Sequence, residues 1–167
     1  AAGLTVEPLT TSTAVVPTSG PGLPPVFDPT PYRPAMKPGT IADLDGLGNV
    51  PRYAITLAVD VEAPQATGHE RVHFTNQLYS AAGLNEVYFR LFPAAPGYGA
   101  AMTVTNITLD GQPVAAELEQ GGTALKVPVM LAYGAAVDID LDFAVSIPRD
   151  PTAGYAMFGA SEGVIAL

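Results

Sequence analysis

The chain has 167 residues, with seven Lys and Arg against 16 Asp and Glu, for a formal charge of −9. That balance excludes the basic face a nucleic-acid partner requires. Apolar residues make up 48 %, which excludes wholesale disorder, while 17 Gly and 17 Pro argue against a helical bundle. The absence of Cys excludes a disulfide framework and any thiolate metal site.

No apolar run is long enough to cross a membrane. Residues 127–137, "VPVMLAYGAAV", come closest and are cut by Pro128 and Gly134. The chain opens "AAGLTVEP", without an initiator Met or a signal peptide, and reads as a processed or trimmed product. Residues 1–51 hold ten of the 17 prolines with many Thr and Ser, and read as an extended linker. Such a tract ahead of a folded domain points to a secreted or cell-surface protein. Its "FDPTPYRP" carries two aromatics expected to pack along the domain, and "IADLDGLGN" (41–49) reads as one helical turn.

From Arg52 the texture changes, and residues 52–167 read as a β-domain. "RYAITLAVDVE" (52–62) alternates, with Tyr53, Ile55, Leu57, Val59 and Val61 on one face of a half-buried strand. "ATGHERVHFTNQ" (66–77) places Glu70, Val72, Phe74 and Asn76 on one face and His69, Arg71, His73 and Thr75 on the other. "LNEVYFRLFP" (84–93) is a third strand, "AMTVTNITLD" (101–110) a fourth and "QPVAAELE" (112–119) a fifth. Asp110-Gly111 between the last two is a strong hairpin signal. "TALKVPV" (123–129) follows the Gly121-Gly122 turn, and "AAVDIDLDFAVSIP" (135–148) is the longest alternating run. Seven strands separated by frequent turns predict an all-β fold, an antiparallel β-sandwich or a saddle-like curved sheet.

Within the second strand lies His69-Glu70-Arg71-Val72-His73, which matches H-E-x-x-H. On a helix, residues i and i+4 stack about 6 Å apart and both imidazoles reach one zinc. On a strand they share a face but lie about 13 Å apart, too far for a single ion. Thr67, Val72, Phe74 and Thr75 favour a strand. A third ligand is also missing, because "LFPAAPG" occupies the region where a later Glu belongs, and Glu86 comes too early. His69 and His73 are therefore read as strand residues facing solvent or a neighbouring domain.

Asp138, Asp140 and Asp142 resemble the start of a calcium loop, but Phe143 stands where the loop needs Gly and Arg149 where it needs Glu. Alternation with Val137, Ile139, Leu141 and Phe143 makes them the polar face of a strand, where three like charges could loosely hold a cation. Asn106-Ile107-Thr108 fits a glycosylation sequon. Ser146 and Ser161 have no His or acid at a suggestive spacing. Tyr88, Phe89 and Phe92 read as core or interface residues. Glu62, Glu70 and Glu86 could meet across strands, but nothing marks them as an acid/base pair. The expected catalytic, cofactor-binding and metal-ligating sets in this chain are all empty.

The order of these features resembles the N-terminal β-domain of aminopeptidase N-like zinc metallopeptidases, the gluzincin group that includes leukotriene-hydrolase relatives. The residues that carry the resemblance are "YAITLAVD" (53–60), "GHERVHFTN" (68–76), "LNEVYFRLFP" (84–93), Val104 to Gly111, Leu125 to Pro128, and the long strand ending Ile147-Pro148, followed by Tyr155 and Phe158-Gly159. The Pro/Thr-rich front is not part of the family pattern. The resemblance implies a non-catalytic domain that packs on a downstream thermolysin-like domain and shapes access to its cleft. Zinc and peptide substrate would belong to that parent protein, and no family site residue maps onto this chain. It also implies an exposed apolar patch near "YAMFGASEGVIAL" (155–167). The other reading is an extracellular adhesion or carbohydrate-binding β-sandwich on a proline-rich stalk, marked by an exposed aromatic platform.

Overall fold

The computed structural model describes residues 22–23, 25–26, 28–79, 82–149, 158–161 and 164–166. Among the described residues ten strands form: β1 Arg52–Asp60, β2 Gln65–Thr75, β3 Leu84–Arg90, β4 Ala101–Leu109, β5 Gln112–Pro113, β6 Glu117–Glu119, β7 Ala124–Leu131, β8 Ala136–Ser146, β9 Gly159–Ser161 and β10 Val164–Ala166. A five-stranded sheet runs β1-β2-β8-β4-β5, and a three-stranded sheet runs β3-β7-β6. All ladders between named strands are antiparallel. The fold is all-β, and the two sheets face each other as a sandwich.

The core follows from period-two alternation. Val72, Val137 and Ile139 of the large sheet meet Val129 and Leu131 of β7, with Val87 and Phe89 of β3 against them. Leu125 and Val127 of β7 pack over Met102, Val104, Ile107 and Leu109 of β4. At the far end Ala66, Val145 and Ile147 meet Ala160, Phe158 and Ile165. The C-terminal hairpin β9–β10 thus folds back onto the large sheet.

The fifth expected strand is two. Gln112 and Pro113 pair with β4, whereas Glu117 to Glu119 pair with β7, so residues 114–116 cross between the sheets. Val114 and Ala116 pack into the core on the way, and the Val114 N–H donates to the Ile107 carbonyl at 3.0 Å. The apolar run "VAA" hid this crossover, because it reads as strand in its own right while β5 pairs back to β4 in one sheet and β6 forward to β7 in the other. The Asp110-Gly111 turn forms as expected, with φ of 49° and 77°, the left-handed pair that a two-residue hairpin needs. Pro128 has no N–H to offer a ladder. It lies past the end of β6's pairing, opposite a register shift in β3.

Residues 41–49 form a 3-10 helix rather than a single turn, and Thr30–Ala35 forms another. Leu44 is buried, and the Asn49 carbonyl accepts a hydrogen bond from Gln77 Nε2 at 2.8 Å. The described end of the Pro-rich segment is therefore tied to the chain just after β2. Residues 1–21 and Tyr155 lie outside the described residues. No described helix is long and apolar enough to cross a membrane.

Gly68 shows how tightly the large sheet is fitted. A Cβ there would lie 2.4 Å from the Phe143 ring and 2.4 Å from the Thr56 carbonyl oxygen. The ring could turn, but the carbonyl belongs to a paired strand and cannot. Gly68→Ala is expected to lower the unfolding free energy by about 1–3 kcal/mol. Gly46→Ala, where nothing lies within 4 Å of the new atom, is expected to change little in the same urea titration.

Candidate functional site

β2 and β8 pair along their whole length in a single register. His73 stands opposite Asp138, Arg71 opposite Asp140, and His69 opposite Asp142. The two stretches singled out by motif are therefore the two sides of one ladder, on the sheet face away from the core. Cross-strand neighbours of opposite charge stabilise a sheet pair.

The contacts run straight across and diagonally. His73 Nδ1 lies 2.6 Å from Asp138 Oδ1, and Arg71 Nη2 donates to Asp138 Oδ2 at 3.0 Å. Arg71 Nε sits 3.7 Å from Asp140, within ion-pair range but beyond a hydrogen bond. His69 lies between two carboxylates, with Nδ1 2.8 Å from Asp142 and Nε2 3.3 Å from Asp140. Carboxylates only accept, so a neutral His69 ring donates to one of them and an imidazolium donates to both. Asn106 closes the row, donating from Nδ2 to Asp142 Oδ2 at 2.8 Å. It does so from a left-handed position, φ 53°, at the bulge where β4 shifts register against β8. The sequon side chain thus points outward to the ladder.

These contacts set the carboxyl groups. Burial alone would raise Asp138, but hydrogen bonds from His73 and Arg71, with the Arg71 charge, outweigh it and hold the group below the usual aspartate range. Asp142 is lowered chiefly by the Asn106 hydrogen bond; burial opposes this and the His69 bond adds to it. Glu70, between the two histidines in sequence, points to the core side, where burial pushes its carboxyl up. Tyr53, across the β1–β2 pair, is raised by burial and by the Glu70 charge.

The letters of H-E-x-x-H therefore separate. Both histidines point one way and Glu70 the other, as alternation on a strand requires. Each imidazole is turned to a different aspartate near it, so the set does not fit a zinc site. Among the described residues no three His, Cys, Asp or Glu are grouped to hold a metal ion. Glu62, Glu70 and Glu86 are not brought together: Glu62 lies in the turn after β1, and Glu86 is exposed on β3. Phe89 packs in the core, whereas Tyr88 is exposed and reaches Glu119, and Phe92 is exposed. The sequence shows the aspartates only as a row of like charges on one strand face, because their partners lie 65–73 positions away along the chain. The one available signal was equal spacing: basic residues at every second position of one strand, acids at every second position of another.

Comparison with protein-family models, curated proteins and solved structures finds no match for this chain.

Two outcomes follow from the ladder. Asp138 and Asp142 are both depressed in the folded chain. Each therefore contributes stability above the unfolded aspartate range, and that contribution is lost as pH falls through the folded value. Asp138→Asn is expected to cost about 1 kcal/mol at pH 7, with the difference from the parent chain shrinking as pH is lowered below the usual aspartate range, in denaturant titrations across that range. After dialysis against zinc and then metal-free buffer, the chain is expected to retain less than about a tenth of an equivalent, measured by atomic absorption.

Proposed function

We propose that the chain is a non-catalytic β-domain of a zinc aminopeptidase-like protein. In this reading it packs on a downstream thermolysin-like domain and narrows access to that domain's cleft. Peptide hydrolysis and zinc belong to the parent protein, which is exported to the cell surface or beyond.

One observation carries the docking role. Tyr53, Ile55, Leu57 and Val59 alternate along β1 on the core-facing side of the large sheet, in register with Val72, Glu70, Gly68 and Ala66. Among the described residues, the central strands of that side are covered and β1 is not. Its four side chains are 45–54 % exposed, and Val61 just beyond is 42 % exposed. A row of large apolar side chains at a free sheet edge favours a covering partner. Among the described residues of the C-terminal segment, Phe158, Ala160 and Ile165 pack on the large sheet and Val164 is exposed. The remainder of that segment lies outside the described residues.

A second reading draws on a different observation. Tyr79 and Tyr133 stand exposed at one end of the sandwich, edge to face, with ring centroids 5.7 Å apart. Exposed aromatics are what a carbohydrate-binding module would use. However, the rings cross at 73° and give no flat platform.

The coding sequence beyond Leu167 tests the first reading. A helical H-E-x-x-H with a later Glu on the next helix is expected. A reading frame that ends there, or continues into β-modules alone, overturns it. Within the present chain, Ile55→Ser and Leu57→Ser are each expected to cost about 1 kcal/mol or less, since half of each side chain is already in water. Ile139→Ala, fully buried, is expected to cost about 2–5 kcal/mol in the same thermal melts. In the longer polypeptide the two Ser variants are expected to release the domain, read as proteolytic sensitivity at the junction.

A further inference from the structure

The sandwich is closed on one side and open on the other. β7 lies over β4 and β8, β5 and β6 join the sheets at the closed side, and β3 ends the small sheet short of β1. Where β3 overhangs β2, the sheets part around a cavity of about 330 Å³. That is room for about ten water-sized groups. Tyr53, Phe89, Leu91, Met102 and Leu141 line it, with Glu70 among them.

Glu70 is out of keeping with this wall. Its neighbours across the two strand pairs are Ile55 and Leu141. Among the described residues no cation or hydrogen-bond donor reaches its carboxylate. Arg90 also borders the cavity, but its guanidinium donates to Gln120. Arg71 points to the opposite face and holds Asp138, and Lys126 pairs with Glu117 and Glu119. A carboxylate taken partly out of water without a counter-charge is costly unless something pairs with it. Apolar and aromatic walls with a few placed polar groups are the usual makeup of a small-molecule site. The chain's charge of −9 draws cations toward it.

We propose that this cleft is a binding site for an organic cation: an ammonium or guanidinium group that pairs with Glu70, carried on an aromatic or branched apolar body that fills the cavity. Tyr53 and Phe89 supply aromatic surface beside the charge, where a cation gains further attraction. The cleft adjoins the docking row of β1 and shares Tyr53 with it, but each reading has its own test and can fail without the other.

The test is a titration of the full chain, followed by amide NMR near neutral pH, with three probes of similar shape. Phenethylammonium is cationic, 3-phenylpropanol neutral and 3-phenylpropanoate anionic. Phenethylammonium is expected to shift the resonances of Tyr53, Phe89 and Leu141 saturably, with a dissociation constant about tenfold below that of the alcohol. The anion is expected to bind more weakly than both. Glu70→Gln is expected to keep the spectrum of a folded chain and to bring the amine down to the affinity of the alcohol. The proposal is overturned by no saturable shift up to about 10 mM amine, by equal binding of amine and alcohol, by shifts elsewhere on the chain, or by an affinity that Glu70→Gln leaves unchanged. The amine-against-alcohol comparison is made on the unaltered chain, so it decides the matter even if the variant fails to fold.

Discussion

The register between β2 and β8 is the constraint on which the rest depends. A slip of one residue would turn Asp138, Asp140 and Asp142 into the core and put Ile139 and Leu141 in water, which alternation forbids. A slip of two residues is subtler, because it keeps every side chain on its proper face. What opposes it is fit at particular positions. Phe143 lies against Gly68, the one inward-facing position of β2 without a side chain. Shifted by two, the ring would meet Ala66 or Glu70 instead. The ladder on the other face agrees, since a shift of two leaves one basic residue and one aspartate at the ends without a partner.

The second fixed point is Asn76, fully buried just past the end of β2. Its backbone N–H donates to the Ala135 carbonyl at 2.9 Å, and its own carbonyl accepts from Gly134 at 2.8 Å. Its side chain donates to the Leu131 carbonyl at 2.9 Å and accepts from the Leu78 N–H at 2.9 Å. Leu131 ends the small sheet and Ala136 begins the long strand of the large one. One amide therefore holds the passage between sheets, and Gly134 supplies the left-handed residue that the turn requires, with φ 77°. A buried polar side chain with both its donor and its acceptor used specifies a geometry that an apolar residue of the same size would leave loose. It also sets where β8 starts, and so feeds back on the register.

Much of this was legible in the sequence, because the signals were local. Alternation in residues 66–77 and 135–148 assigned the correct face to each side chain, and Asp110-Gly111 located its hairpin. Geometry alone was enough to set aside H-E-x-x-H, since a strand separates what the motif must bring together. What stayed hidden was non-local. Alternation in Tyr53, Ile55, Leu57 and Val59 says that one face is apolar but not whether a layer covers it, and three strands cannot cover five. The break between β5 and β6 is set by pairings in two different sheets, β5 with β4 and β6 with β7, which the run "VAA" does not announce. Asn76 was placed on the inward face, but its role needs the position of Leu131, 55 residues away.

The two faces of the large sheet differ in what they leave unsatisfied. On the outer face three aspartates meet an arginine, two histidines and an asparagine, and the row satisfies much of its own polar demand. A partner gains little from displacing such contacts, because it would have to replace hydrogen bonds already made. On the inner face the central strands are sealed by β7 and β3, and among the described residues the margin along β1 lies open. There the uncovered apolar row of β1 and Glu70, whose carboxylate has no partner among the described residues, occur side by side. Apolar area gains by being covered, and a desolvated charge gains by being paired. Whatever this chain binds, the free energy available for binding is concentrated on the side of the sandwich between β1 and β3, and the paired charges of the outer face are better understood as holding the fold.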